Sequence, residues 1–179
     1  MRGEILNEFL EFATERAGSS ALTRAGDGKG MAASYDAAGR YDLAELVDLV
    51  DRLAASRGEP SHALLAGFGA HLFRYFAALY PTFVDDARSA LALLAAIDTH
   101  VHGELRKLYP DADFPSLRCI PMMPDGLEIL YRSQRPLADL AEGLIRGCIE
   151  HFGDPLRLVR EDLPGQPGTA ARFVLVPEG

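Results

Sequence analysis

ALALLAAIDTHVHGELRKLY, residues 90–109, sets two histidines inside an otherwise apolar pattern, and the rest of the chain is read outward from it. Leu91, Leu94, Ile97, Val101, Leu105 and Leu108 recur at three- and four-residue steps, the period of a helix that buries one stripe. His100 and His102 flank that stripe on opposite sides, since about 100° per residue separates them by about 200°. A single metal ion cannot take both from an intact helix. His102 shares its side with Leu91, Ala95, Leu105 and Tyr109, whereas His100 shares its side with Glu104 and Lys107, so burial is expected at His102. A buried imidazole needs a partner. The helix leaves open whether that partner is a hydrogen bond in the core or a metal ion.

A chain of 179 residues, nearly half of them apolar, can build one good core or two small subdomains sharing an interface. Its 18 Lys and Arg against 26 Asp and Glu give a formal charge of -8, which argues against non-specific binding of nucleic acid or anionic lipid. Runs without formal charge, such as Pro60 to Phe73, are too short to span a bilayer, and Glu4, Glu8 and Glu11 stand where a signal peptide would be basic and then apolar. A cytoplasmic protein is expected. Cys119 and Cys148 form no C-x-x-C pair, so ordinary free thiols are expected rather than a disulfide framework or a sulfur-ligated zinc site. The absence of C-x-x-C-H means that any haem would be held without thioether bonds.

In chain order, residues 2 to 17 read as a helix with Ile5, Leu6, Phe9, Leu10, Phe12 and Ala13 on one face. Residues 18 to 39 are rich in Gly, Ala and Ser and read as a loop with at most a short helical turn. Asp42 with Glu45 forms a capping pair for a helix that stops at Gly58-Glu59-Pro60. Ser61 to Tyr80 is a third helix, weakened by Gly67 and Gly69, for which close approach of another element or ligand would compensate. The histidine helix is expected from about Asp86 to Pro110. Past Pro110 the period changes to that of strands: Leu117 to Met122 and Leu127 to Arg132 around the turn Pro124-Asp125-Gly126, then a helix over Asp139 to Phe152, then Leu156 to Glu161 and Ala171 to Val176. Helices first, then strands with one inserted helix, point to an α+β fold.

No Walker loop, G-x-G-x-x-G, H-E-x-x-H or G-x-S-x-G is present, which leaves hydrolase readings weak. Tyr131-Arg132-Ser133-Gln134-Arg135 stands out, because extended spacing sends Tyr131, Ser133 and Arg135 to one side. A phenol, a hydroxyl and a guanidinium on one face suit a pair of carboxylates, since charge-assisted bonds from Arg are strong. The alternative is a solvated edge strand.

Val101-His102 on a long apolar helix, Pro115 a short loop later, and Y-x-S-x-R at Tyr131, Ser133 and Arg135 together resemble the H-NOX family (haem nitric oxide/oxygen binding, or HNOB), in its bacterial stand-alone form. The resemblance runs from Met1-Arg2-Gly3-Glu4-Ile5 through Phe68 to Phe73 to the final strands, and is weakest over residues 18 to 40. It implies one domain over 1–179, with an N-terminal helical subdomain (1–60) and a C-terminal part (61–179) holding the haem-ligating helices and a small antiparallel sheet. A haem b would lie non-covalently between them. His102 would be its proximal iron ligand, Tyr131, Ser133 and Arg135 would hold the propionates, and Pro115 would press the porphyrin out of plane.

By the same resemblance the distal pocket is lined by Ile5, Phe9, Leu72, Phe76, Leu140 and Leu144. Oxygen-binding members place a tyrosine at the position of Leu140 and polar residues at those of Phe9 and Leu72; here all three are apolar. Bound oxygen is strongly helped by a hydrogen-bond donor, while nitric oxide binds ferrous haem without one. The expectation is a non-enzymatic NO sensor that excludes oxygen, takes CO more weakly, and releases His102 on binding NO so that the subdomains shift. Output would pass to a separate protein, a histidine kinase or a cyclic-di-GMP enzyme. Two rivals stand beside it: a haem-free interaction domain of the same fold, and an enzyme using His71 or His100, for which the pocket offers no acid or base.

Overall fold

The computed structural model describes residues 1–17, 35–108 and 114–179; the loop expected over 18 to 39 lies for the most part outside them, as does Tyr109. The chain divides into two compact units, Met1–Phe68 and Gly69–Gly179.

The first unit is helical. Helix α1 (Gly3–Ala17) buries Leu6, Phe9, Phe12 and Ala13, four positions on one face. Helix α2 (Leu43–Arg57) begins where the Asp42 carboxylate accepts from the Ala44 backbone N–H at 3.0 Å, and ends at Gly58 in the left-handed conformation, φ 67°. It turns Leu46, Leu49, Val50, Leu53 and Ala54 inward. Helix α3 (Ser61–Leu79) crosses the division between the units; in the first it contributes Leu64, Leu65 and Phe68. The rings of Phe9 and Phe68 meet edge to face at 5.1 Å, with Phe12 5.6 Å from Phe68. After the undescribed stretch the chain returns at Tyr35, whose backbone N–H and C=O both pair with the Asn7 amide, at 2.8 and 2.9 Å.

The second unit is a four-stranded antiparallel sheet with helices on one face. Strands β1 (Ser116–Met122), β2 (Gly126–Arg132), β3 (Leu156–Asp162) and β4 (Ala170–Pro177) lie in the order β1-β2-β4-β3. The register pairs Leu127 with Leu175, Ile129 with Phe173 and Tyr131 with Ala171. Alternation then sends all six to the buried face, with Glu128, Leu130 and Arg172 to the other. The β1–β2 hairpin turns through Met123–Asp125, with Asp125 at φ 51°, a conformation that Asp tolerates better than most residues.

Helix α4 (Pro81–Asp85) precedes helix α5 (Ala90–Ala96), which the Ser89 hydroxyl caps by accepting from the Ala92 N–H at 3.2 Å. Asp154 adds a second acceptor there, taking the Ala90 N–H at 2.7 Å. The histidine helix expected from about Asp86 therefore starts later, at Ala90. It is also not continuous: a π-helical turn spans Ile97–Val101, closed by the His102 N–H on the Ile97 carbonyl, before α6 (His102–Leu108). Helix α7 (Ala138–Phe152) links β2 to β3 and ends at left-handed Gly153, φ 65°. It buries Ala138, Ile145 and Cys148 in the same core as Leu93, Leu94 and the sheet. Among the described residues no helix is long and apolar enough to cross a membrane.

Candidate functional site

The two histidines of the organising stretch part company. His100 is exposed, its Nδ1 3.0 Å from the Thr99 hydroxyl. His102 follows the π turn at the start of α6, with its side chain 13% exposed and its Nδ1 fully buried without a hydrogen-bond partner among the described residues. Among the described residues the Asp98 carboxylate comes close, its Oδ1 3.6 Å from Nδ1, beyond hydrogen-bond distance. Burial pushes the His102 pKa below the ordinary histidine value; Asp98 opposes that shift and Arg106 assists it. The imidazole is thus held neutral, the form that binds a metal.

Three residues around it were not singled out by periodicity. Asp98, four positions earlier, is held by Arg106 through a 3.0 Å hydrogen bond from Nη2 to Oδ1. Phe114 lays its ring 5.1 Å from the imidazole, tilted by 36°, and takes the Arg106 guanidinium over its face at 5.7 Å. The nearest signal was Phe114-Pro115, an aromatic residue joined to a proline already noted. Pro115 itself is half-buried and leads directly into β1. Cys119, on β1, donates its thiol to the Leu94 carbonyl at 3.3 Å, and burial, seconded by Asp98, raises its pKa.

The second group lies at the end of β2. Tyr131 is buried in the sheet core, its ring 6.3 Å from that of Phe173. Beyond Arg132 the chain leaves the sheet and bends at Gln134, Arg135 and Pro136, so the extended segment ends sooner than the Y-x-S-x-R spacing supposed. Burial still alternates: Ser133 and Arg135 are half-buried while Arg132, Gln134 and Pro136 are exposed. The bend is braced rather than loose. Ser133 donates its N–H to the Thr169 carbonyl at 2.8 Å and accepts the Arg135 N–H on its hydroxyl at 3.0 Å, and Ala138 donates to the Gly168 carbonyl at 3.0 Å. Gly168, at φ 76°, packs so closely that a Cβ there would stand 3.0 Å from that of Pro136. The loop between β3 and β4 thereby fixes the backbone that carries the guanidinium.

Of the other six candidates, Phe9 and Ile5 belong to the first unit, Phe9 fully buried and Ile5 half-buried. Leu72, buried, and Phe76, half-buried, lie on α3, with Leu140 and Leu144 half-buried on α7. The two helices touch backbone to backbone. A Cβ at Gly69 would fall 2.8 Å from both the Gly143 Cα and the Leu144 N, which is the close approach expected at one of the paired glycines.

A profile of the Haem-NO-binding (HNOB) family matches residues 2–159. The chain belongs to that family. Its fold is that of solved H-NOX proteins. The ferrous unliganded H-NOX protein of K. algicida is 26% identical, with a TM-score of 0.87 over 100% of this chain and 97% of that one. The H-NOX protein of S. oneidensis in its Fe(II)NO ligation state is 22% identical, TM-score 0.88, over 100% of both. An oxygen-binding H-NOX domain related to soluble guanylate cyclases is 18% identical, TM-score 0.80, over 98% of this chain and 94% of that one. A comparison with curated proteins found no match. H-NOX proteins are haem-binding gas-sensor domains, and the α+β architecture with a four-stranded antiparallel sheet is theirs.

The residues present fit a haem. Among the described residues no group of three or more His, Cys, Asp or Glu could hold a bare metal ion. A haem would need less from the protein, because the porphyrin's own nitrogens bind the iron and one neutral imidazole would suffice beside them. His102 offers that imidazole: burial keeps the ring neutral, and among the described residues no group takes its Nδ1 by a hydrogen bond. Two propionates inside a protein need cationic and hydroxyl donors, which the braced segment from Tyr131 to Arg135 supplies by type.

Proposed function

We propose that this H-NOX chain is a cytoplasmic sensor of nitric oxide, built as one domain over 1–179, that holds haem b non-covalently. His102 would ligate its iron, Tyr131, Ser133 and Arg135 would hold the propionates, and Pro115 would bear on the porphyrin. When bound, the haem supplies a ferrous centre that takes NO reversibly. The chain's own part is to exclude oxygen and to convert ligand binding into a change of conformation. Exclusion is assigned to Ile5, Phe9, Leu72, Phe76, Leu140 and Leu144, none of which carries a hydrogen-bond donor on its side chain. Without such a donor a polarised diatomic ligand loses its main stabilisation while NO loses little. The S. oneidensis relative has been solved with NO on its iron, which supports the reading.

Signalling is assigned to His102: NO shifts the population of conformers only by its differential affinity for those that keep and those that release this ligand. The response passes to a separate effector, a histidine kinase or a cyclic-di-GMP enzyme. The observation that carries the reading is the buried, neutral imidazole at position 102, whose Nδ1 has no hydrogen-bond partner among the described residues.

Absorption spectra test it. The reduced protein should show a Soret band that shifts with NO and does not give a stable oxy spectrum in air. His102→Ala should lose most of its haem or need added imidazole to keep it, while His100→Ala should match the wild type. A stable oxy form would sink oxygen exclusion; equal haem retention with unchanged spectra in both variants would sink the ligand assignment.

A further inference from the structure

Three side chains close a ring with the imidazole. Asp98 Oδ1 stands 3.6 Å from the orphaned His102 Nδ1, and the same oxygen takes the Arg106 Nη2 hydrogen bond at 3.0 Å. Arg106 also reaches the Asp98 carbonyl with Nη1 at 3.4 Å, lies over the Phe114 ring, and Phe114 in turn faces His102. One carboxylate oxygen therefore faces two donors, and Arg106 holds it a few tenths of an ångström beyond hydrogen-bond reach of the histidine. Asp98 lies within the π turn, whose unusual geometry is a frequent mark of a functional site.

We propose that Asp98 is a positioning residue for His102, accepting its Nδ1–H while Nε2 holds the haem iron, and that Arg106 weakens this acceptor by competing for the same oxygen. A ligating imidazole that donates its second N–H to a carboxylate is more basic at the ligating nitrogen and binds more firmly. Arg106 draws charge from that carboxylate and loosens the hold. The pair would set how readily the axial bond gives way, the step on which the proposed sensing depends, so the inference rests on His102 being the ligand.

The test uses full-length ferrous haem protein, with resonance Raman for the iron–histidine stretch and redox titration for the midpoint potential. Asp98→Asn should lower the stretching frequency and move the potential positive. Arg106→Gln should do the opposite on both. Asp98→Asn with both values at wild type, or the two variants moving in the same direction, would overturn the proposal, since a merely structural disturbance has no reason to change sign. In His102→Gly, rescue by imidazole and by 1-methylimidazole, which has no N–H to donate, should give different potentials when Asp98 is present and nearly equal ones in an Asp98→Leu background, whose side chain accepts no hydrogen bond. Equal potentials in both backgrounds would overturn the proposal independently of the fold of either single variant. Failure of the underlying reading looks different: no Soret band at all, or His102→Gly holding haem unaltered without any added base.

Discussion

Cys148 shows what burial does to a single titratable group. It is fully enclosed, with only the weak contact of its thiol to the Ala90 carbonyl at 4.0 Å. Burial first, and the Asp154 carboxylate second, push its pKa up to about 12 from an ordinary 9.0. The folded state therefore holds a proton that the unfolded chain gives up sooner. The stabilisation is complete below 9.0 and is lost as pH climbs toward 12. Thermal melts at pH 8 and 10.5 should show the wild type losing more stability than Cys148→Ala over the same interval, whatever the variant's lower starting point. Parallel losses would contradict the assignment. At this scale the sequence was informative about side-chain type and direction: the period placed His102 inward and His100 outward, and the structure buries the first and exposes the second. Apolar periodicity was silent on Asp98 as an acceptor beside the ring and on Phe114 as a neighbouring ring. Asp98 stands four residues before His102, the spacing of helical neighbours, a pairing that a search for apolar repeats passes over, and Phe114 reaches the ring by a return of the chain.

Gly67 and Gly69 are indistinguishable by helix propensity, yet their surroundings differ. A Cβ at Gly69 meets the backbone of α7, which cannot yield, whereas one at Gly67 meets the flexible end of Arg16 at 3.3 Å and the Phe12 ring edge at 3.4 Å. Gly69→Ala should cost about 1–3 kcal/mol by overpacking. Gly67→Ala should gain at most about 1 kcal/mol from the better helix former. Urea midpoints separate the two; equal losses would show that α3 resists any added methyl group. Helix ends and strands were legible because caps and turns act locally, as at Asp42, Gly58 and Gly153. The π turn was not. Its one-residue slip lies within the tolerance of a helical apolar pattern, so the long helix expected there is two helices with a different phase.

For the whole molecule the consequence of the proposed reading is thermodynamic. A ligand that binds only the folded chain stabilises it by mass action, about 4 kcal/mol when free ligand exceeds the dissociation constant a thousandfold. Haem-loaded protein should melt well above the haem-free form, and His102→Ala should show most of that rise abolished; identical melting of loaded and unloaded wild-type protein would mean that the fold gains nothing from the group. Local rules of period, capping and turn chemistry carried the order of elements, the antiparallel hairpin and the choice between two histidines, because each depends on residues within one or two turns of one another. Folding was needed to decide which glycine meets a backbone, that the β3–β4 loop braces Ser133 and Ala138, and that Phe114 comes against the imidazole and the Arg106 guanidinium. Those outcomes are set by distances between groups remote along the chain, and packing alone fixes such distances.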